Sequence, residues 1–387
     1  MICGSAEPGR DGVGDYTRRL AAGLIRRGVD ARLIATHDAD AKEVRQEEQD
    51  DSGTVVTVLR IPAAHAERDR FEEIKRRIDA QAPAWISVQF VPYSYSDVGI
   101  PRRFAATLTK LADRARFEIM FHELWLRHRR RGDWKGRLTG ALQRRTILGL
   151  CKTLRPAVVH THIPINRDEL IGRGVAAKPL PLFANIGRWA SPDFPVTEKP
   201  AGAYRACFFS RMETPPPVLR VLAEVADWCR ETGREFEVAL LGGGQAKVSA
   251  AAEEIRSVVP EAVVLPVGYL PAEGVSAWLS TCDLALSPIP RHSQGKSGTV
   301  AAFLEHRLPV ISPVIRQPRE PFFSEALNAM VMDRFDRTAV ARAEAVFRRQ
   351  PDIAGSLEEI LDTFIADLGL IGENSGGIAD VSLKSQQ

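Results

Sequence analysis

The sequence predicts an α/β protein made of two doubly wound domains, and three observations carry that expectation. Short apolar, β-rich runs alternate with amphipathic stretches over almost the whole length, the runs fall into two series, and a proline-rich segment without periodic apolar residues lies between the series. Continuous apolar strands separated by helices mean parallel sheets covered on both faces. A chain of 387 residues also exceeds one ordinary core and suits two domains.

The first series of runs is Ala31–Ala35, Thr54–Leu59, Trp85–Phe90, Phe117–Phe121, Ala157–His160 and Leu180–Ala184. The second is Ala206–Phe209, Phe236–Leu241, Ala262–Val267, Leu284–Ser287, Leu308–Ser312 and Ala329–Met332. Between them "ASPDFPVTEKPAGA", Ala190 to Ala203, holds three prolines and reads as the connection. The boundaries are therefore 1–190 and 204–350, with 191–203 as linker. Residues 351–371 form an amphipathic helix, with Leu357, Ile360, Leu361 and Phe364 on one stripe, which can pack back on the first domain. The polar, Gly/Ser-rich segment 372–387 is expected to be a disordered tail.

Hydrophobic content of 44% and charged content of 26% are those of a soluble globular chain. A net charge of +3 demands no nucleic-acid partner. The five scattered cysteines, without paired spacing, argue for a reducing compartment and against a disulfide framework or a zinc site. No apolar run has the length of a membrane span, and Met1 leads into glycine and charge rather than a signal peptide. The expected location is the cytoplasm.

The segment richest in chemistry is "SPIPRHSQGKSGTVAAFLEHRLPVIS", Ser287 to Ser312, which reads as strand, loop and helix. Gly295-Lys296-Ser297 resembles the end of a P-loop, but the glycine needed five residues earlier is Pro290, which has no N–H to offer a phosphate. A plain turn and cap is a second reading. The third is a diphosphate site, in which a loop entering a helix N-terminus binds by amides and dipole.

Four other clusters and a basic face stand out. In "CGSAEPGRDGVGDYTRRLAAGLIRRG", Gly9, Gly12 and Gly14 permit close backbone approach, but the order GxxGxG is not the dinucleotide fingerprint. His122 and Glu123 in "FHELW" follow an apolar run directly, which places them at the carboxyl end of a parallel strand, where open sheets take ligands. Zinc is excluded there because Leu126 stands where HExxH needs histidine. His160 and His162 share a strand face and read as structure or cleft wall. Gly242, Gly243 and Gly244 follow a strong strand, as ligand platform or as simple loop. From Arg127 to Arg145 runs a basic face interleaved with Trp125 and Trp134; a solvated surface is the ordinary reading, with a membrane surface or an anionic acceptor as the other.

Taken in order, these pieces resemble a glycosyltransferase of the GT-B fold, two Rossmann-like domains facing a cleft, and within it the retaining family 4. "GRDGVGDYTRRLAAGLIRRGVD" looks like the family's first glycine loop, "FHELW" like its HD or HE strand end, "LPLFANIGRW" like its IPNGV segment and "FEVALLGGG" like its IVGxG strand. "VVLPVGYLPAEGVSAWLSTCDLALSPI" and "GKSGTVAAFLEHRLPVIS" are similar to its nucleobase-side and donor-phosphate segments. The resemblance implies that His122 contacts the transferred sugar, that Lys296 and Arg211 neutralise the diphosphate, and that Asp283 is structural. It places the donor against Gly12, Gly14, Gly242, Gly243, Gly268, Tyr269, Leu270, Gln294, Gly295, Ser297, Gly298 and Thr299.

Two departures accompany it. Where the family carries two glutamates this chain has Gln294 and Ala302, and the usual Arg and Lys pair is reduced to Arg211, with Lys296 as the substitute charge. The implied activity is transfer of a sugar from a UDP- or GDP-linked donor to a saccharide or lipid-linked acceptor, with retention and without metal or other cofactor. The basic face would offer peripheral contact with the inner side of a membrane. The alternatives are a non-catalytic GT-B protein that binds a nucleotide or glycan, and an ATP-dependent enzyme using Gly295-Lys296-Ser297.

Overall fold

A computed structural model describes residues 1–127, 133–189, 194–350 and 356–370. The first half runs β1 (Ile2–Cys3), α1 (Gly12–Arg26), β2 (Leu33–Asp38), β3 (Arg45–Asp51), β4 (Thr54–Pro62), α2 (Glu67–Gln81), β5 (Trp85–Phe90), α3 (Arg102–Thr109), β6 (Arg116–Phe121), α4 (Trp134–Leu154), β7 (Val158–Thr161), α5 (Pro164–Ile171) and β8 (Lys178–Pro179). The second half continues β9 (Tyr204–Phe209), α6 (Pro216–Glu231), β10 (Phe236–Leu241), α7 (Gln245–Val258), β11 (Val263–Gly268), α8 (Ala272–Leu279), β12 (Leu284–Leu286), α9 (Gly298–Glu305), β13 (Val310–Ile311), α10 (Glu325–Met330), β14 (Val331–Met332), α11 (Arg337–Arg349) and α12 (Leu357–Leu368).

The strands form two sheets, ordered β3-β4-β2-β1-β5-β6-β7-β8 and β11-β10-β9-β12-β13-β14. Among the described residues every pairing is parallel except β3 with β4. Strand order reverses beside β1 in one sheet and beside β9 in the other. At such a switch point the flanking loops splay apart and leave a crevice outside the carboxyl ends.

Three expectations change. β3, "RQEEQDD", carries no apolar signal; it is held as an antiparallel edge by register with β4 and a tight turn at Ser52 and Gly53, both at positive φ. Leu180–Ala184 is not a strand: the last pairing is Lys178–Pro179, and Pro181 cannot extend the ladder. Ala329–Met332 is split between the end of α10 and β14. The stretches 128–132, 190–193 and 351–355, and everything from 371 on, lie outside the described residues, so part of the linker and the whole expected tail go without structural account.

α12 packs on α1 and the first sheet. Its buried stripe of Ile360, Leu361, Phe364 and Leu368 joins Leu20, Leu24 and Leu33. The fit needs Gly23, since a Cβ there would stand 2.4 Å from Leu361 Cδ1. Ser356 and Glu359 form a capping box at the helix start, and Arg27 pairs with both Glu358 and Asp362 at 2.6 Å.

Two buried charge clusters stiffen the halves. In the first, Arg60 makes a two-pronged contact with Asp38 at 2.8 and 3.0 Å and reaches Glu7 in the β1–α1 loop at 2.5 Å. In the second, Asp283 accepts from the Arg205 amide at 2.8 Å and from Lys199 at 2.8 Å, while the Arg205 side chain pairs with Glu237 at 2.7 Å. All five cysteines are free and buried.

Candidate functional site

The carboxyl ends of the two sheets face one another across a cleft of about 750 Å³. Its first wall is Pro92 and Tyr93 after β5, Glu123 to Arg127 after β6, and Asn166 of α5; its second is Pro290, His292, Ser293 and Lys296 after β12, with Arg316 and Gln317.

Lys296 is the charged centre of this cleft. After β12 the chain makes a 3-10 turn over Arg291–Lys296, and Ser297 then caps α9, its hydroxyl accepting from Val300 N. That geometry sends Lys296 across the gap to Glu123, Nζ to Oε1 at 2.9 Å. This ion pair, half open to solvent, joins the two halves, as does that of Arg319 with Asp168 at 3.6 Å. At the start of α9 the amides of Gly298 and Thr299 have no intrahelical partner, as at any helix start.

Around Lys296 the structure assigns roles that differ from those expected. Gln294 is fully buried: its amide donates to Ile289 O at 2.7 Å and to Ser312 Oγ at 2.6 Å, and so ties the loop to β13 rather than facing a sugar. Gly295 is a point of close approach, since a Cβ would lie 2.3 Å from Pro321 O and 2.9 Å from Ile163 Cγ2. Its place in the sequence serves packing between the halves. The amide of Ser297 already donates to Gln294 O at 2.9 Å. Ala302 is buried in the core.

His122 lies beneath the cleft, directly before the lining Glu123, and is buried, with both ring nitrogens engaged inside the protein. Nε2 lies 2.9 Å from Gln89 Oε1 and Nδ1 lies 2.9 Å from His162 Nε2, with the Tyr16 ring edge-on at 5.0 Å. A sugar hydroxyl would have to displace one of these contacts, so His122 serves as support in this conformation. Burial, His162 and the Lys296 ammonium hold it well below the ordinary histidine range. Burial likewise pushes His162 down to about 4.

The glycine loop of the first half is already occupied by an anion of its own. Asp11 caps α1 and accepts from the amides of Val13 and Gly14, each at 2.8 Å. Burial raises its carboxyl above the usual range. Gly14 is required for packing, because a Cβ would stand 2.5 Å from Ser5 O, whereas Gly12 has open space at that position and its carbonyl accepts from Asn185 Nδ2 at 3.0 Å. A diphosphate therefore gains no donors from Val13 and Gly14.

The remaining expected residues gather at the carboxyl ends of β9, β10 and β11. Gly242 and Gly243 both have positive φ, and Gly242 N donates to Gly268 O at 2.5 Å, which joins the two strand ends. Tyr269 beside them is 80% exposed and Leu270 is half-buried. Arg211, exposed after β9, pairs with Glu213 at 3.5 Å and does not line the cleft that holds Lys296. The expected set is thus divided into a cleft group and a strand-end group on the second half. Glu123 was placed at a ligand-binding strand end without a role, and Gln89 and Asp11 were not singled out; the polar Gln89 inside the apolar run "WISVQF" is the signal that could have found one of them. Among the described residues no group of three His, Cys, Asp or Glu side chains could hold a metal ion.

No protein-family model and no curated protein matches the sequence. Solved structures do. The α,α-trehalose 6-phosphate synthase of Burkholderia multivorans aligns over 95% of this chain and 97% of its own, with 11% identity and a TM-score of 0.53. The UDP-forming α,α-trehalose-phosphate synthase of Burkholderia vietnamiensis aligns over 90% and 94%, with 11% identity and a TM-score of 0.50. The UDP-GlcNAc 2-epimerase of Methanocaldococcus jannaschii aligns over 92% and 96%, with 9% identity and a TM-score of 0.50. At such identities the likeness speaks for fold alone, and the fold is GT-B: two Rossmann-like domains with parallel sheets.

Proposed function

We propose that the protein is a glycosyltransferase, of the retaining family 4 type, that moves a sugar from a UDP- or GDP-linked donor to a saccharide or other polar acceptor. The observation that carries the reading is the Lys296 ammonium, set between the two switch-point crevices with, among the described residues, only the half-open Glu123 carboxylate as its ion-pair partner. The leaving group of such a reaction is a diphosphate, so the protein must stabilise developing negative charge. Lys296 and the free amides of Gly298 and Thr299 supply that stabilisation without a metal ion. Arg211 joins them when the halves close on the donor, which also excludes water. Gly242, Gly243, Gly268, Tyr269 and Leu270 bound the nucleoside side. The departing phosphate takes the acceptor proton, which gives retention without a carboxylate nucleophile.

The outer face of α4 supports a membrane-side acceptor. Trp134 is 65% exposed and Leu138 52%, beside exposed Lys135, Arg137, Arg144 and Arg145. No helix among the described residues is long and apolar enough to cross a membrane. A peripheral contact of this face with anionic lipid at the inner side of a membrane would bring a lipid-linked acceptor to the cleft.

A second reading, a GT-B protein that binds a nucleotide or glycan without transfer, is favoured by the burial of Gln294 and Ala302 where the family has glutamates. Calorimetric titration with UDP, GDP, ADP and ATP, with and without magnesium, followed by a donor-hydrolysis assay, tests both. Metal-independent binding of UDP or GDP with turnover supports the transferase. Binding without turnover supports the second reading, and magnesium-dependent preference for ATP overturns both.

A further inference from the structure

Beneath the cleft floor a line of polar groups crosses the first sheet. It starts at the Leu180 carbonyl, 2.8 Å from His162 Nδ1, and continues from His162 Nε2 to His122 Nδ1 at 2.9 Å. From His122 Nε2 it passes to the Gln89 amide at 2.9 Å, then to Ser87 Oγ at 2.8 Å and to Glu118 Oε2 at 2.7 Å. Beyond Glu118, His160 lies between two carboxylates, Glu118 Oε1 at 3.0 Å and Asp367 Oδ2 of α12 at 3.1 Å. We propose that the stretch from Leu180 to Glu118 stores one proton more than its members hold as neutral histidines and an ionised glutamate, which makes Glu118 and Gln89 positioning residues for His122.

With the imidazole nitrogens where the structure places them, a count of hydrogens requires the extra proton. Five contacts separate the Leu180 carbonyl from the Glu118 carboxylate, and both ends are acceptors only. Each of the four groups between them brings one hydrogen to the line: a neutral imidazole has one N–H, a hydroxyl one O–H, and an amide presents its nitrogen to one side and its oxygen to the other. Four hydrogens cannot fill five contacts. Exchanging histidine tautomers, or turning the Gln89 amide, moves the gap along the line without closing it. Without a fifth hydrogen, two lone pairs would face each other among buried residues at less than 3 Å, too close for a water to stand between them. The fifth is held as the acid form of Glu118 with Gln89 turned, or as an imidazolium at His122 or His162 against the burial and the Lys296 ammonium that oppose a cation on either ring.

The charged and titratable groups facing this line are the Met1 amino group just before β1, Tyr16 from α1, His160 from β7, Asp367 from α12 with its partner Lys178 of β8, and Lys296 from the second half. Loss of the stored proton breaks one contact in the line and releases a histidine beneath the cleft. His122 precedes Glu123, the partner of Lys296, and His162 precedes Ile163, which abuts Gly295. The proton thus holds in place the support beneath two of the contacts that bridge the domains.

Glu118→Gln supplies the missing hydrogen permanently, since its amide donates to Ser87 where the carboxylate could not. The test compares His160→Gln with His160→Gln/Glu118→Gln, so that the proton of His160 is outside the comparison. A proton bound only in the folded state makes the unfolding constant rise about ten-fold per pH unit. Between about pH 7 and 8 that constant is expected to rise about ten-fold per unit faster in the single variant than in the double. Equal slopes overturn the proposal. Should either variant fail to fold, nitrogen NMR of the histidines and carboxyl infrared spectra of the unaltered protein at about pH 8 decide. An imidazolium at His122 or His162, or a protonated carboxyl at Glu118, supports the stored proton; two neutral histidines with an ionised Glu118 refute it.

Discussion

Replacing Lys296 and Glu123 singly and together tests the cleft most directly. In the resting protein the two side chains meet at 2.9 Å with relative exposures of 26% and 51%, and a half-open ion pair of this kind contributes only ~0–1 kcal/mol. A hydrogen bond from the Lys296 ammonium to a diphosphate is charge-assisted and worth about 1.5–3 kcal/mol. Lys296→Ala is therefore expected to raise the Kd for UDP or GDP about 10- to 100-fold. Donor binding must first free Lys296 from Glu123, so Glu123→Gln is expected to tighten binding by up to about five-fold, the ~1 kcal/mol ceiling of the displaced pair. In the double variant the benefit of Glu123→Gln disappears, because there is no pair left to break. Calorimetric titration at low and moderate salt measures all four proteins. Unchanged diphosphate affinity in Lys296→Ala, or a loss in Glu123→Gln as large as that in Lys296→Ala, refutes the placement of the phosphates at Lys296.

Phe364 is buried under α1, so Phe364→Ala should destabilise the fold by about 3–5 kcal/mol; urea unfolding checks this, and a loss below about 1 kcal/mol would mean that α12 is dispensable to the first domain. Burial works against a charge on His160, but its hydrogen bonds to Glu118 and Asp367 outweigh that cost and raise its pKa. The stability it adds is complete below the unfolded histidine value of about 6.5 and is lost as pH rises through the raised folded value. His160→Gln should therefore flatten the alkaline fall in stability by about a factor of ten per pH unit in the unfolding constant, read from denaturant titrations at several pH values. Trp134→Ala with Leu138→Ala should weaken cosedimentation with vesicles of anionic lipid while leaving UDP affinity unchanged; undiminished sedimentation rules out the α4 face as the lipid contact.

The GT-B fold was largely legible in the chain because its strands are buried on both faces and so read as continuous apolar runs, "FEVALL" of β10 being the plainest. The exceptions have physical causes: β3 is an acidic edge strand whose place is set by its partner, and Pro179 with Pro181 ends the first sheet earlier than the apolar pattern suggests. Strand ends and glycine clusters were visible too, since a polar His-Glu after an apolar run marks the carboxyl end of a parallel strand. What each residue does there was decided by tertiary structure. Lys296 meets a carboxylate 173 positions away, and Gln294 and Gly295 are drawn into packing by Ser312, Pro321 and Ile163. The polar line under His122 exists only because parallel β5, β6 and β7 bring Gln89, Glu118 and His160 side by side, Ser87 meeting Glu118 across 31 positions and Glu118 meeting His160 across 42. Local pattern determines which segments are buried, because burial follows the period of the chain; the partner of a buried charge is settled by the crossings between segments, which no local period records.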